Sequence, residues 1–587
     1  MTPTNLYRKF RRLSAAILLT LVVVAFSSCS EKQAKLIPAD CSAVIKIDVA
    51  SIYDKSGAAD NEDVKDICDK LLDLAKEKED MSRSTLDEVR KYVEDPTELG
   101  IDFSSPIYCF GPSESFNYVG FVAKVSKESR VEDALEVFRK ASDGDFKLRE
   151  YDACKILTDS REGGAFAYND DVFMFAVPVR GRDADLLRDV RKRFELEDEK
   201  DCFTETEAFK VLSKTEGDVT FAASCDGIFK LMDKSDREYY KLDDKTLEQY
   251  RTMGYAGSLS FEDEIIDFSY EVFGLNDKLK ADSEKAYNNF NNVHGKWLAN
   301  MPASTFIYCA LNVDGAKLWK VISEQPAMQT YLNDNHFNEY MSNFRDALTS
   351  LNGEMALGLA IPQDNHAPVP DMTLLAEVAS KEKADNFVST MVEKYYGNYL
   401  AEPIAASGEE ADTTVAPTPA YDDYSYNYGS YGSYYTPTPT RVMTKEGSVY
   451  TFGYDSSAPY YYTKNPPVIF GTEGKAFFMT NTQSITPSSH PSASAAKSAW
   501  VENSKRHKFY VAFDFNPFLK NETFRGQLRE ARMLDAAEKC DYIECYDEGL
   551  FKVVAKFHFK NLGKNETPAK LICDCIVSAL SRELRRA

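Results

Sequence analysis

The chain has 587 residues and a formal net charge of −23, with 93 acidic and 70 basic residues. Its length predicts about two to four domains, and a hydrophobic content of 43% excludes wholesale disorder. The acidic surface expected from this charge repels phosphate backbones, which argues against nucleic acid as a partner.

The chain begins with the pattern of a secreted lipoprotein. Basic residues between positions 8 and 12 precede an apolar run from Ala15 to Phe26, which suits a signal-peptide core and is too short to span a bilayer. Two serines and Cys29 follow, and this ending resembles the lipobox of bacterial lipoproteins. The resemblance implies that residues 1–28 are a signal peptide, that Cys29 carries fatty-acid chains such as palmitate, and that residues 29–36 form a tether.

The same resemblance implies where the protein is located. Ser30 is not the aspartate that retains enteric lipoproteins at the inner membrane, so the expected location is the outer membrane, reached through the N-terminal lipid. Bacteroides-type surface lipoproteins usually carry an acidic cluster after the cysteine, and here only Glu31 is present. A periplasm-facing position is therefore preferred, with exposure on the cell surface as the alternative.

Internal similarity predicts two tandem copies of one α+β unit, residues 37–297 and 298–587, each with antiparallel strands and packed helices. Each copy opens on a Pro-Ala pair before an apolar strand, and each carries a Ser-Lys-Glu triplet, at 126–128 and 380–382, before a helix with apolar residues at i, i+3, i+4 and i+7. Each copy also ends in a hairpin and a helix.

Residues 402–440 have high polarity and no periodicity, so we predict a disordered loop inserted in the second copy. Tyrosines alternate there with small polar residues and could contact a glycan or a protein partner; the alternative is a flexible loop without a ligand. The tyrosines are Tyr421, Tyr424, Tyr426, Tyr428, Tyr431, Tyr434 and Tyr435. Thr413 lies in a short sequence that resembles an O-glycosylation site.

Searches for catalytic motifs find no nucleophile elbow, no zinc-protease motif and no phosphate-binding glycine loop, so no catalytic residue, metal or cofactor is predicted. Four cysteines near the C-terminus could form disulfides in an oxidising envelope, or remain free packing residues. They are Cys540, Cys545, Cys573 and Cys575, and their spacings do not fit a zinc ribbon.

The lipobox, the Ile37-Pro38-Ala39 entry and the tandem copies together resemble an uncharacterised family of Bacteroides-type (Bacteroidota) lipoproteins with a domain of unknown function. The residues favour a non-enzymatic envelope lipoprotein that binds a protein or glycan partner or acts as a scaffold. One alternative is a hydrolase of glycans or peptides whose site lies between the copies. Another alternative is a structural spacer.

Overall fold

The structure is a computed structural model. It describes residues 32–58, 61–62, 64–67, 69–70, 83–141, 146–159, 164–179, 185–196, 199–239, 244–325, 328–329, 332–333, 338–362, 369–399, 441–454, 466–482, 485–564 and 566–584. The chain divides into two compact units. Unit 1 comprises residues 1–287 together with 527–587, and unit 2 comprises residues 288–526.

Strands occur throughout the described residues. In chain order they are β1 (Ala43–Ile47), β2 (Ile107–Phe110), β3 (Tyr118–Lys124), β4 (Phe146–Glu150), β5 (Lys155–Asp159), β6 (Ala165–Tyr168), β7 (Val172–Pro178), β8 (Val219–Ser224), β9 (Gly254–Phe261), β10 (Ile265–Phe273), β11 (Phe290–Asn291), β12 (Thr305–Asp314), β13 (Leu351–Ala360), β14 (Asp371–Val378), β15 (Arg441–Glu446), β16 (Val449–Tyr454), β17 (Val468–Glu473), β18 (Ala476–Thr480), β19 (Phe509–Asp514), β20 (Cys540–Asp547) and β21 (Lys552–Phe559).

The α-helices of the described residues are mostly short. In chain order they are α1 (Val49–Ser56), α2 (Arg83–Glu94), α3 (Glu128–Ala141), α4 (Leu186–Phe194), α5 (Glu207–Leu212), α6 (Cys225–Leu231), α7 (Lys234–Tyr239), α8 (Asp244–Tyr250), α9 (Asp277–Tyr287), α10 (Gly315–Ser323), α11 (Asn338–Ser350), α12 (Lys381–Tyr396), α13 (Val501–Ser504), α14 (Asn516–Lys520), α15 (Glu522–Glu530), α16 (Leu534–Lys539) and α17 (Pro568–Leu584).

All pairings between the strands of unit 1 are antiparallel, in the order β4-β5-β6-β7-β3-β2-β1-β8-β9-β10-β21-β20. Unit 2 has the antiparallel order β15-β16-β17-β18-β14-β13-β12-β19. With helices beside these antiparallel sheets, the fold is α+β, as the sequence predicts. The first eight strands of unit 1 and the strands of unit 2 other than β11, which pairs with β12, share one order. A shared strand order does not by itself establish a common ancestor, so the tandem duplication stays a prediction.

The compact units and the predicted copies divide the chain differently. Residues 527–587 belong to unit 1, although they lie in the second predicted copy. The cause is the hairpin β20–β21, because β21 pairs with β10 from Ile265↔His558 to Glu271↔Lys552. Contacts define the units and sequence order defines the copies, so the boundaries at 37–297 and 298–587 stay a prediction.

In each unit an aspartate starts the helix that follows the first long strand. Asp48 accepts a hydrogen bond from the Ser51 amide at 2.9 Å, and Asp314 accepts one from the Lys317 amide at 3.1 Å. A side-chain oxygen at this position satisfies an amide that has no partner within the helix, so the strand ends and the helix begins there.

The main core of unit 1 lies on one face of its sheet. Alternate residues of β1, β2 and β3 are fully buried there against 3-10 helices and α-helices, among them Val44, Tyr108 and Val122. Residues Lys32–Leu36 belong to the predicted tether, yet they form a 3-10 helix that contributes Ala34 and Leu36 to this core. Burial of these two apolar side chains explains why the segment is folded.

Candidate binding surface

The face of the unit 1 sheet opposite the main core carries a continuous line of apolar residues. Because side chains alternate along a strand, residues paired across the strands share one face. The line crosses eleven of the described strands and is called the apolar row below. From β4 to β21 it consists of Leu148, Leu157, Phe166, Phe175, Phe121, Cys109, Ile45, Phe221, Gly257, Tyr270 and Val553.

Helix α3 covers the apolar row at β5, whereas Leu148, the end of the row on β4, is 50% exposed. Leu157 is only 3% exposed because it packs with Val131 and Leu135 of α3. Beyond this helix the row opens to solvent, since Phe121 and Ile45 on β3 and β1 are each 38% exposed. An antiparallel sheet commonly presents polar side chains on a face that helices do not cover, so this apolar face requires an explanation.

Aromatic rings give the apolar row a defined shape. The Phe166 and Phe175 rings stack with centroids 4.6 Å apart, and Phe121 extends the stack to Phe175 at 6.2 Å. Across the sheet, the Phe221 ring occupies the space beside Gly257, where a Cβ would lie 2.8 Å from that ring and 2.2 Å from a backbone oxygen. The glycine is therefore required by the close approach of Phe221.

The chemistry available in the apolar row is binding by apolar contact. Its one thiol belongs to Cys109, and burial raises the pKa of this thiol above its ordinary value, which disfavours the nucleophilic thiolate. Leucine, isoleucine, valine and phenylalanine side chains supply no proton donor or acceptor, and the one hydroxyl of the row belongs to Tyr270 on β10. Contact between this surface and an apolar partner would be stabilised by removal of both surfaces from water.

The sheet of unit 2 has a corresponding line of half-buried apolar residues across six described strands. From β19 to β17 these residues are Val511, Cys309, Leu357, Leu374, Met479 and Phe470. This line also contains a cysteine, Cys309, as its second residue. Each unit therefore carries an apolar sheet face of its own.

The four C-terminal cysteines lie on two elements of unit 1. Cys540 and Cys545 are in β20, and Cys573 and Cys575 are in α17. Burial, and to a smaller extent the charge of Cys575, raises the pKa of the Cys540 thiol to about 11. No disulfide joins the cysteines that the structure describes, and the pairing in an oxidising envelope stays a prediction.

The other predicted site residues lie outside the described residues. These are the lipidation residue Cys29, the glycosylation residue Thr413 and the seven tyrosines between Tyr421 and Tyr435. Within the described ranges, no group of histidine, cysteine, aspartate or glutamate side chains could hold a metal ion.

Sequence reasoning missed the apolar row because the row exists only once strands distant in sequence are paired. Cys109 and Phe121 each stand between two buried residues of a short strand, and Ile45 follows the buried Val44. The one signal that the sequence offered is that apolar residues occupy both faces of these strands. In the described part of the chain, no helix combines the length and apolar character that crossing a membrane requires.

The sheet orders and their apolar faces define an α+β protein built on antiparallel sheets. Residues 34–402 match the family model described as Domain of unknown function (DUF4836). Because this match spans more than half of the chain, the protein belongs to that family. The match ends at residue 402, where the predicted loop insertion begins. No curated protein and no solved structure matches the chain.

Proposed function

We propose that this protein is a non-catalytic lipoprotein of a Bacteroidota envelope that binds a partner protein through the apolar row of unit 1. In this proposal Cys29 carries the lipid, and the chain is held at the outer membrane, facing the periplasm. The observation that carries the binding function is the open part of the apolar row, from β7 to β21, where Ile45 and Phe121 are both 38% exposed.

The size of this surface favours a protein partner. Eight described strands from β7 to β21 span roughly 34 Å, and three outward residues along a strand add about 14 Å of width. The resulting surface is on the order of 500 Å², comparable to the largest apolar patches of monomers and more than half of one side of a typical interface. On β7, β3 and β1, with β2 between the last two strands, the residues of this face are all apolar, although Ala123 is only 5% exposed: Phe173, Phe175 and Val177; Val119, Phe121 and Ala123; Ala43, Ile45 and Ile47.

The proposed anchor would keep the partner near the membrane. The 3-10 helix Lys32–Leu36 packs on unit 1, and Lys32 forms an ion pair with Asp171 at 2.6 Å. Only Ser30 and Glu31 then separate a lipid on Cys29 from the folded unit, a length of about 10 Å of extended chain. A protein held this closely favours partners that are themselves at the membrane surface.

The test compares Phe121→Arg with Val369→Arg in the full-length protein. Val369 is a matched control because it is 40% exposed but lies outside the apolar row. Crosslinking in native membranes should first identify the partner protein. Direct binding of that purified partner should then be retained by Val369→Arg and lost by Phe121→Arg. A charged guanidinium on the row has this effect because association would bury it without a counter-charge.

Three results would overturn the proposal. Equal binding of the partner by both variants would exclude the apolar row. If Phe121→Arg lost binding to a glycan and not to a protein, the partner would be a glycan. If the protein turned over an envelope glycan or peptide, it would be a hydrolase. The anchor is tested separately: Cys29→Ala should release the protein from the membrane fraction, and retention there would refute the lipid.

A further inference from the structure

Unit 1 contains a cleft that has no part in the apolar row. It has a volume of about 360 Å³ and lies between α4, the segment after the 3-10 helix, and the residues before β3. We call it the Arg193 cleft and define it by Asp40, Phe116, Tyr118, Asp189, Arg193 and Leu196. Its lining combines charges of both signs with apolar walls.

Arg193 is a largely buried cation without a carboxylate partner. Its Nε donates to the Leu36 carbonyl at 2.9 Å, and one terminal nitrogen donates to the Asp201 carbonyl at 3.2 Å. These two backbone contacts fix the guanidinium, and no carboxylate of the described residues lies within 4 Å of it. Burial lowers the pKa of Arg193, because water no longer solvates the charge fully. The charges of Asp40 and Asp201 offset this effect of burial only in part, so an anionic ligand group at the guanidinium would be stabilised.

Tyr118 places a second unsatisfied group at the same cleft. The residue is fully buried, and its hydroxyl has no hydrogen-bond partner within the described parts of the chain. Its ring is held by Phe116 at 4.7 Å and by Phe110 at 6.0 Å between centroids. A buried hydroxyl without a partner destabilises the folded state unless a ligand or a water molecule satisfies it.

The cleft also presents carboxylates that are oriented by neighbouring groups. Asp40 accepts hydrogen bonds from the hydroxyls of Ser113 at 2.8 Å and Ser115 at 2.6 Å. Asp189 pairs with Arg188 at 2.9 Å and its side chain is 15% exposed. Asp201 and Lys192 also line the cleft, so it carries three acidic and two basic side chains. The acidic groups would repel a ligand that is only anionic, and Arg193 and Lys192 would repel one that is only cationic.

We propose that the Arg193 cleft binds a small zwitterion, with its acidic group against Arg193 and Tyr118 and its primary ammonium against Asp40 or Asp189. Charge-assisted hydrogen bonds of both signs would orient such a ligand, and Phe116 and Leu196 would contact its carbon chain. The same chemistry occurs in a phosphoethanolamine headgroup and in an amino acid or the end of a peptide. The proposal does not depend on the apolar row or on the lipid anchor.

The test is calorimetric titration of the purified full-length protein with phosphoethanolamine and with alanylalanine. Acetate, inorganic phosphate and methylamine are the single-charge controls. We expect one of the two zwitterions to bind with a dissociation constant below about 1 mM, and each control to bind much more weakly. Binding of phosphoethanolamine alone assigns a lipid headgroup as the source, and binding of alanylalanine assigns an amino acid or peptide.

Two variants separate binding from folding. Arg193→Gln should weaken zwitterion binding by roughly 30-fold, whereas Arg191→Gln, on the exposed side of the same helix, should leave it unchanged. Tyr118→Phe should weaken binding by about fivefold without lowering the thermal midpoint, because only an unsatisfied hydroxyl is removed. The proposal is overturned if neither zwitterion binds at about 10 mM, if acetate or phosphate binds equally well, or if Arg193→Gln binds like the parent protein.

Discussion

Replacing Asp218 with alanine is expected to destabilise unit 1 by about 3 kcal/mol while leaving unit 2 unchanged. Asp218 is 3% exposed and joins three elements of unit 1. Its carboxylate accepts hydrogen bonds from Ser51 at 2.6 Å, from Lys55 at 2.7 and 2.8 Å, and from the Phe261 amide at 2.6 Å. It thus attaches α1 to β9 through one buried side chain.

The magnitude follows from what loses its partner. In Asp218→Ala the Lys55 ammonium and the Phe261 amide keep their positions but have no acceptor, and breaking a buried pair costs about 3–5 kcal/mol. The Lys55 side chain is 34% exposed, so water solvates part of its charge and the lower end of that range applies. Ser51→Ala, which removes one bond to the carboxylate, should cost about 1.5 kcal/mol.

The assay uses the distribution of tryptophan. All three tryptophans, Trp297, Trp319 and Trp500, lie in unit 2. Urea unfolding followed by tryptophan fluorescence therefore reports unit 2, while circular dichroism reports both units. We expect Asp218→Ala to move the dichroism transition of unit 1 to a lower urea concentration. The fluorescence transition of unit 2 should not change.

The pH dependence provides a check of the sign. Burial raises the pKa of Asp218, but the bonds from Lys55, Phe261 and Ser51 outweigh burial and hold the pKa below its ordinary value. A lowered carboxyl pKa stabilises the fold above the unfolded pKa of about 3.9, and this contribution disappears as the pH falls through the folded pKa. The difference in the free energy of unfolding between the parent protein and Asp218→Asn should therefore become smaller below about pH 4. A loss of less than about 1 kcal/mol in the free energy of unfolding of Asp218→Ala would refute the reasoning. A difference between the parent protein and Asp218→Asn that increases in acid would also refute it.

Two further predictions concern unit 2 and use tryptophan fluorescence. Gly315→Ala should destabilise the unit by about 2 kcal/mol, because a Cβ would lie 1.8 Å from the Leu348 carbonyl oxygen and force α10 away from α11. The control is Gly526→Ala, which should cause no loss of stability because no described atom lies within 4 Å of its Cβ. Glu354→Gln should stabilise the unit by about 1 kcal/mol at pH 7, since burial raises the pKa of Glu354 and one of its buried oxygens has no hydrogen-bond partner among the residues that the structure describes. A raised carboxyl pKa costs stability as the pH rises above the unfolded value, so the advantage of glutamine should vanish below about pH 4. A destabilised Glu354→Gln variant would show that the bond from the His294 amide, 2.7 Å from the other oxygen, requires the charge.

Local features of the fold were predictable from the sequence. The hairpin turns at Asn169-Asp170 and at 547–549 have the residues that turns favour, and both hairpins form. The second predicted copy ends in a hairpin and a helix, Pro568–Leu584, and a helix begins at each Ser-Lys-Glu triplet, as the sequence predicts. These elements are determined by neighbours in sequence, which is why periodicity and turn chemistry suffice.

The order of the strands could not be predicted in this way. β3 pairs with β7 and β1 pairs with β8, and each pairing joins strands separated by several other elements. Local propensity carries no information on such pairings, so the apolar row and the Arg193 cleft stayed hidden. The sequence also did not indicate that Lys32–Leu36 forms a 3-10 helix, since its polar residues outnumber the two apolar side chains that the core buries.

The position of the last hairpin has a consequence for biosynthesis. The ribosome delivers β10 well before β21, the strand that pairs with it over seven residues, and the whole of unit 2 is synthesised in between. Synthesis of unit 1 therefore begins first and is completed last. During that interval the edge of β10 has no partner strand and is vulnerable to pairing with other chains. A premature stop that removed only the final residues would leave unit 2 intact and damage the unit at the opposite end of the chain.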